Sequence, residues 1–66
     1  MEFFVNVGTE KFRVVTVDEI DLEAFQKTLQ DYGPSSIEGV IFLIESYGYH
    51  VYRGRDRRDL PAVNLF

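Results

Sequence analysis

The first feature of this sequence that could do chemistry is an arginine-rich stretch, RGRDRRD, at residues 53–59. It holds four of the seven cationic side chains of the chain. Arginine donates paired hydrogen bonds to phosphate oxygens, and tyrosine rings just upstream offer faces on which unpaired bases stack. The pattern is typical of a nucleic-acid-binding segment, in which the contacts would come from Arg53, Arg55, Arg57 and Arg58, with Tyr47, Tyr49 and Tyr52 as stacking platforms.

Charge elsewhere in the chain argues against that interpretation. The stretch itself contains Asp56 and Asp59, so four cations are offset by two acids. Residues 1–52 carry nine acids against three bases, and the formal net charge of the whole sequence is −4. Small nucleic-acid-binding proteins usually present a basic surface. We therefore expect the arginines to form the edge of a protein interface and keep nucleic-acid binding as the alternative.

Catalytic chemistry has little support in the sequence. His50 is the only histidine, and as a general base it would need a carboxylate partner from Glu45, Asp56 or Asp59. The serines have no nucleophile-elbow context, and there is no glycine-rich phosphate loop. A chain of 66 residues also has little room for a substrate cleft. We predict that the protein is not an enzyme and has no catalytic residues.

An acidic run before the first predicted helix, Asp18, Glu19, Asp21 and Glu23, is the other charged cluster. Its spacing lacks the alternating acids, the bidentate glutamate and the glycine turn of a calcium loop. The chain has no cysteine, which excludes a thiolate zinc site. We interpret the run as charge at the N-terminus of a helix and predict no metal and no cofactor.

Composition is that of a small globular protein. At 45% hydrophobic and 15% aromatic residues the chain is too apolar to be disordered, and its length predicts a single domain over residues 1–66. The longest apolar run, residues 40–44, is far shorter than the roughly 20 residues that span a bilayer. The first residues, MEFFVN, have no basic n-region, so we expect neither a signal peptide nor a membrane anchor.

A domain of this size without disulfides often gains stability from a shared interface, so a homodimer is one expected partner state. The absence of cysteine suits a reducing, cytoplasmic location. Size, acidity and lack of cysteine also suit a bacterial or phage accessory protein.

The elements that must position these residues begin with a β-hairpin over residues 2–17. Two stretches rich in Phe and Val flank Gly8-Thr9, and a two-residue turn there places Val7 opposite Glu10 and Phe3 opposite Val14. One face then collects the apolar residues Met1, Phe3, Val5, Phe12 and Val14. That face is predicted to be core.

A helix is predicted over residues 22–32, because Leu22, Phe25, Leu29 and Tyr32 recur at helical spacing. Asp21 is its predicted N-cap, and Gly33 before a proline supplies the stop signal.

Residues 35–47 fit two structures. A helix is favoured by the apolar face of residues 37, 40, 41, 44 and 47 and by a capping-box pattern in Ser35-Ser36-Ile37-Glu38, with Gly48 as the C-cap. A strand is favoured by the β-branched content and by Gly39, which weakens a helix by about 1 kcal/mol. In the strand alternative Tyr47-Gly48 becomes a hairpin turn. We favour the helix.

A third strand is predicted at residues 49–53, and an apolar tail follows at residues 60–66, where Pro61 permits only an edge strand or extended segment. The predicted fold is therefore α+β: an N-terminal antiparallel hairpin, two helices packed on a small sheet, a third strand and an apolar C-terminal tail. The alternative is ββαββ with one helix.

Aromatic residues outnumber what one small core needs, and aromatics with arginine are the usual anchors of protein interfaces. We expect a non-enzymatic, acidic protein-interaction module, an adaptor or inhibitor that acts by surface binding. The predicted interface residues are Phe42, Tyr49, Tyr52, Arg53 and Phe66.

Overall fold

A computed structural model describes residues 1–54 and 58–65 of the chain. The elements are β1 (Glu2–Val7), β2 (Glu10–Val15), α1 (Leu22–Tyr32), α2 (Ile37–Ser46), β3 (His50–Tyr52) and β4 (Ala62–Asn64). The strands form one four-stranded mixed sheet in the order β3-β2-β1-β4, and both helices pack on the same face of it. The predicted α+β class is confirmed.

The β1–β2 hairpin has the predicted register, from Val7 opposite Glu10 to Phe3 opposite Val14. Gly8 in the turn has φ of 62°, a left-handed conformation that glycine adopts without steric penalty. The predicted apolar face points to the helices, and the buried core comprises Phe3, Val5, Val7, Phe12, Val14, Phe25, Leu29, Val40, Ile41, Ile44 and Val63.

Helix α1 begins and ends where the sequence predicts. The Asp21 carboxylate accepts hydrogen bonds from the N–H groups of Glu23 and Ala24, at 3.1 and 3.2 Å. Gly33 closes the helix with φ of 60°, and its N–H donates to the Gln30 carbonyl. The aspartate of the acidic run is thus a helix cap, as expected from its position.

Helix α2 resolves the ambiguity over residues 35–47, and the strand alternative is wrong. Its N-cap is Ser36, whose hydroxyl accepts a hydrogen bond from the Gly39 N–H at 3.0 Å. The capping-box pattern would place the N-cap one residue earlier, at Ser35. Its C-cap is Tyr47, and Gly48 follows with φ of 84°, so the helix ends one residue before the predicted C-cap. The helix is more stable than a strand here because it buries Val40, Ile41 and Ile44 together.

The apolar tail forms β4, which pairs parallel to β1 at the edge of the sheet. The Phe4 N–H donates to the Pro61 carbonyl at 2.8 Å, so the proline supplies an acceptor where no donor is needed. Val63 enters the core at 1% exposure. Neither α1 nor α2 approaches the length and hydrophobicity needed to cross a bilayer, a finding limited to the ranges 1–54 and 58–65.

Candidate protein-binding surface

The predicted interface residues lie on three different surfaces. Phe42 is 78% exposed on the solvent side of α2. Tyr52 is exposed on the sheet face opposite the helices, next to Arg13. Tyr49 is half-buried against the core on the helix side. Arg53 lies with its guanidinium 5.8 Å from the ring of Phe12. The structure therefore does not bring this set together, and Phe66 lies outside the described residues.

A different aromatic group does converge, at the end of the sheet where β2 stops and β3 begins. The ring of Phe25 meets those of Tyr47 and Tyr49 edge-on, each at 5.7 Å between centroids. Tyr47 and Tyr49 stack at 5.8 Å with an interplanar angle of 19°. Tyr32, from the last turn of α1, reaches the side chain of Tyr47. We call these four residues the tyrosine cluster.

The tyrosine cluster is anchored on the inside and open on the outside. Phe25 is buried and meets Phe3 edge-on at 5.8 Å, which ties the cluster to the core. Tyr32 and Tyr47 are 67% and 42% exposed. Aromatic pairs of this geometry contribute about 0.5–1.5 kcal/mol beyond the area they bury. The rings are therefore held in fixed positions while two of them still face solvent.

A groove of about 300 Å³ adjoins the tyrosine cluster between the β2–α1 loop and the α2–β3 turn. Its lining includes Tyr47, Tyr49, Ile20 and Val17, whose side chain is 96% exposed. Asp18 also lines it, and the Thr16 hydroxyl holds the loop in place by donating to the Asp18 carbonyl. The surface thus combines apolar and aromatic side chains with an acidic rim.

Electrostatics at the tyrosine cluster follow from this partial burial. Desolvation raises the pKa of Tyr47 above its ordinary value of 10.0, and the neighbouring hydroxyl of Tyr32 raises it further. Both effects favour the neutral phenol, which can donate and accept hydrogen bonds at neutral pH. The exposed end of Tyr47 is therefore suited to a neutral polar contact.

The opposite face of the sheet holds a network of charged side chains. The Arg13 guanidinium lies over the Tyr52 ring, 4.3 Å from its centroid, and donates to the Glu2 carboxylate at 3.1 Å. Arg58 donates to the same carboxylate of Glu2. Beside the network, Phe4 is only 3% exposed, with the Lys11 ammonium 4.5 Å from its ring centroid. Phe4 therefore does not add to the exposed aromatic surface.

This network bears on the arginine-rich stretch. Arg58 is directed at a carboxylate of its own chain, and Arg53 at an aromatic ring. Arg55 and Arg57 lie outside the described residues. Nucleic-acid binding through these four arginines stays a prediction.

The network also makes stability depend on pH. The hydrogen bond from Arg58 lowers the pKa of Glu2 below its ordinary value of 4.5, assisted by Arg13 and opposed by partial desolvation. A carboxyl whose pKa is lower in the folded state stabilises that state above its unfolded pKa, and the contribution disappears as pH falls through the folded pKa. At neutral pH we expect Glu2→Gln to melt at a lower temperature than the wild type. The two proteins should converge at pH values well below 4.5.

Thermal unfolding followed by circular dichroism over a pH series tests this expectation. Glu19→Gln is the matched control, since it removes an exposed carboxylate from the β2–α1 loop. Equal shifts in melting temperature for the two variants would contradict a specific role for Glu2.

In the part of the chain that the structure describes, no group of three or more side chains could hold a metal ion. His50 is exposed and lies 6.5 Å from Tyr52 between ring centroids. It stands opposite Val15, whereas Glu45 belongs to α2, so a strand pairing that would set Glu45 opposite His50 does not form.

Tyr32 and Val17 are surface residues that the sequence pattern did not reveal. Tyr32 was assigned to the apolar stripe of α1, although it occupies the last helical position, where the core no longer covers it. Val17 extended the predicted hairpin, whereas β2 ends at Val15. The usable signal was the acidic run directly after Val17, which indicates a solvated loop there.

Two helices on one face of a four-stranded mixed sheet, with an aromatic and acidic surface at one end, define an α+β protein with a convergent exposed aromatic patch. Comparison of the chain with known protein families, curated proteins and solved structures found no match.

Proposed function

We propose that this protein is a non-enzymatic, acidic protein-interaction module, an adaptor or inhibitor, which binds a protein partner through the tyrosine cluster and its groove. The observation that carries the proposal is the meeting of Tyr32, at the end of α1, with Tyr47 of the α2–β3 turn. Tyr47 and Tyr49 of that turn line the groove together with the exposed Val17. Monomeric proteins rarely leave such an apolar patch uncovered unless it binds something.

The chemistry of the patch defines the kind of partner. Tyrosine is enriched at binding hot spots because a rigid ring buries a large area at little cost in side-chain entropy. The apolar and aromatic lining of the groove suits an apolar side chain projecting from a folded protein. Asp18 on its rim, with Glu19 next in sequence, favours a partner whose anchor is ringed by lysine or arginine. An acidic adaptor or inhibitor of a basic protein surface fits both features.

Val17→Arg is the sharpest test of this proposal. The position is almost fully exposed, so the folded structure should tolerate the change, while a cation enters the lining of the groove. We expect affinity for the partner to fall roughly tenfold or more, a loss of about 1.4 kcal/mol in binding free energy. Purified partner, first isolated by affinity capture with the wild type, provides the titration by calorimetry.

Phe42→Arg is the matched control, because it makes the same change in charge at another exposed apolar residue. Phe42 and Tyr47 are five positions apart, or about 140° around the axis of α2. The control should bind like the wild type. Equal losses for both variants, or no loss for Val17→Arg, would overturn the proposal. Binding should also weaken as salt concentration rises, because the acidic rim is solvent-exposed.

A further inference from the structure

The two edge strands of the sheet, β3 and β4, differ in whether their outward-facing peptide groups form hydrogen bonds. At β4, the Pro61 carbonyl and the Leu65 N–H form hydrogen bonds to β1. Because the backbone groups of successive residues in a strand point to alternate sides, the N–H and C=O of Asn64 point away from the sheet. Two glutamines of α1 cover them: the Asn64 N–H donates to the Gln26 side chain at 3.1 Å, and the Gln30 amide donates to the Asn64 carbonyl at 3.5 Å. These two bonds cap the outward peptide groups of Asn64 against another strand.

The β3 edge has no such cap in the described part of the chain. The backbone groups of Thr16 and Met1 exchange hydrogen bonds. By alternation, the N–H and C=O groups of Phe12, Val14 and Thr16 point toward β1, and those of the intervening residues of β2 point toward β3. Because Val51 stands opposite Val14, its N–H and C=O point away from the sheet. Among residues 1–54 and 58–65, no group hydrogen-bonds to these two atoms. An open edge of this kind is a template for another strand.

We propose that the β3 edge pairs with β3 of a second copy of this chain, antiparallel and with Val51 opposite Val51 on the two-fold axis. In that register the outward groups of the two Val51 residues exchange both hydrogen bonds. His50 of each copy lies opposite Tyr52 of the other on the exposed sheet face, and Arg53 lies opposite Tyr49. Aromatic cross-strand pairs and cation–π contacts both stabilise such an arrangement.

A second copy fits this edge better than an unrelated extended segment. The two-fold axis repeats every contact, which compensates for the three-residue length of β3. Residues 49–53 contain no acid, so the acids behind the net charge of −4 on each chain lie outside this edge. At the β4 edge the bonds from Gln26 and Gln30 to Asn64 oppose the same kind of pairing, which favours a closed pair over a longer assembly. The dimer would display two tyrosine clusters, but it does not depend on the proposed binding function.

Charge variants at the facing pair test the register. His50→Lys combined with Tyr52→Lys places like charges opposite each other twice in the dimer, and so does His50→Glu combined with Tyr52→Glu. Both side chains are exposed, so each double variant should remain folded by circular dichroism. We expect each alone to raise the dimer dissociation constant by roughly 10- to 100-fold in sedimentation equilibrium. An equimolar mixture of the two should restore the dimer.

A double variant at the capped edge, Ala62→Lys with Asn64→Lys, controls for the change in net charge and should dimerise like the wild type. Amide exchange supplies a second measurement: protection of the Val51 N–H should rise with protein concentration, while that of the Ala62 N–H should not. A wild type that is monomeric at every concentration, a mixture that stays monomeric, or a control that loses the dimer would each overturn the proposal. None of these results would affect partner binding through Val17, so the two proposals fail separately.

Discussion

Replacing Phe3 by alanine should leave the protein largely unfolded at room temperature. Phe3 is fully buried, and its ring meets that of Phe25 at 5.8 Å. Truncating a buried phenylalanine destabilises a protein by about 3–5 kcal/mol, through lost transfer energy and the cavity left behind. At about 0.05–0.15 kcal/mol per residue, a chain of this length has only roughly 3–10 kcal/mol of total stability. The expected loss is therefore comparable to the whole free energy of unfolding of the protein.

Urea unfolding monitored by circular dichroism measures this effect, and Phe42→Ala is the matched control. The same side chain is removed there from a position that is 78% exposed, so the free energy of unfolding should change by no more than about 0.5 kcal/mol. A Phe3→Ala variant that keeps the wild-type midpoint would contradict the packing described for the core.

Replacing Val63 by aspartate should have a similarly large effect, because it places a carboxylate in the core through the short strand β4. Val63 is 1% exposed and stands opposite Val5 in the parallel pair with β1. Burial of a polar group without a partner costs about 1–3 kcal/mol by mutational measures, and burial of a charge costs more. We expect β4 to detach or the protein to unfold, with loss of amide protection along β1.

Ala62→Asp is the control for this experiment, since it introduces the same charge one residue away on the exposed side of β4. Stability should be nearly unchanged in that variant. Two variants with the same melting temperature would show that β4 contributes little to the fold, against its placement beside β1.

Local signals were sufficient for the hairpin and for α1. The Gly8-Thr9 turn together with the period-two pattern predicted the register residue by residue, because a two-residue turn leaves one pairing that buries Phe3 and Val14 on the same face. Asp21 and Gly33 mark the ends of α1 for equally local reasons. Caps and turns depend on residues within a few positions of one another, so they can be read from the chain.

The ambiguity over α2 shows where local signals become insufficient. Residues 40–44 have strand propensity and helical spacing at once, and the helix prevails because it covers the sheet with Val40, Ile41 and Ile44. Local signals are also insufficient for β4, because its parallel pairing with β1 joins residues nearly sixty positions apart. An example is the hydrogen bond of 2.8 Å between the side chains of Asn6 and Asn64.

The proposed binding surface depended most on the tertiary structure. Sequence alone indicated an excess of aromatic residues and an acidic chain, and it identified Tyr49 among the candidates. It could not indicate that Tyr32 and Tyr47 meet beside Val17 while Phe42 and Tyr52 face elsewhere. Secondary structure follows from periodicity and capping along the chain, whereas convergence on one surface follows from how two helices pack across a sheet, which no short stretch of the sequence encodes.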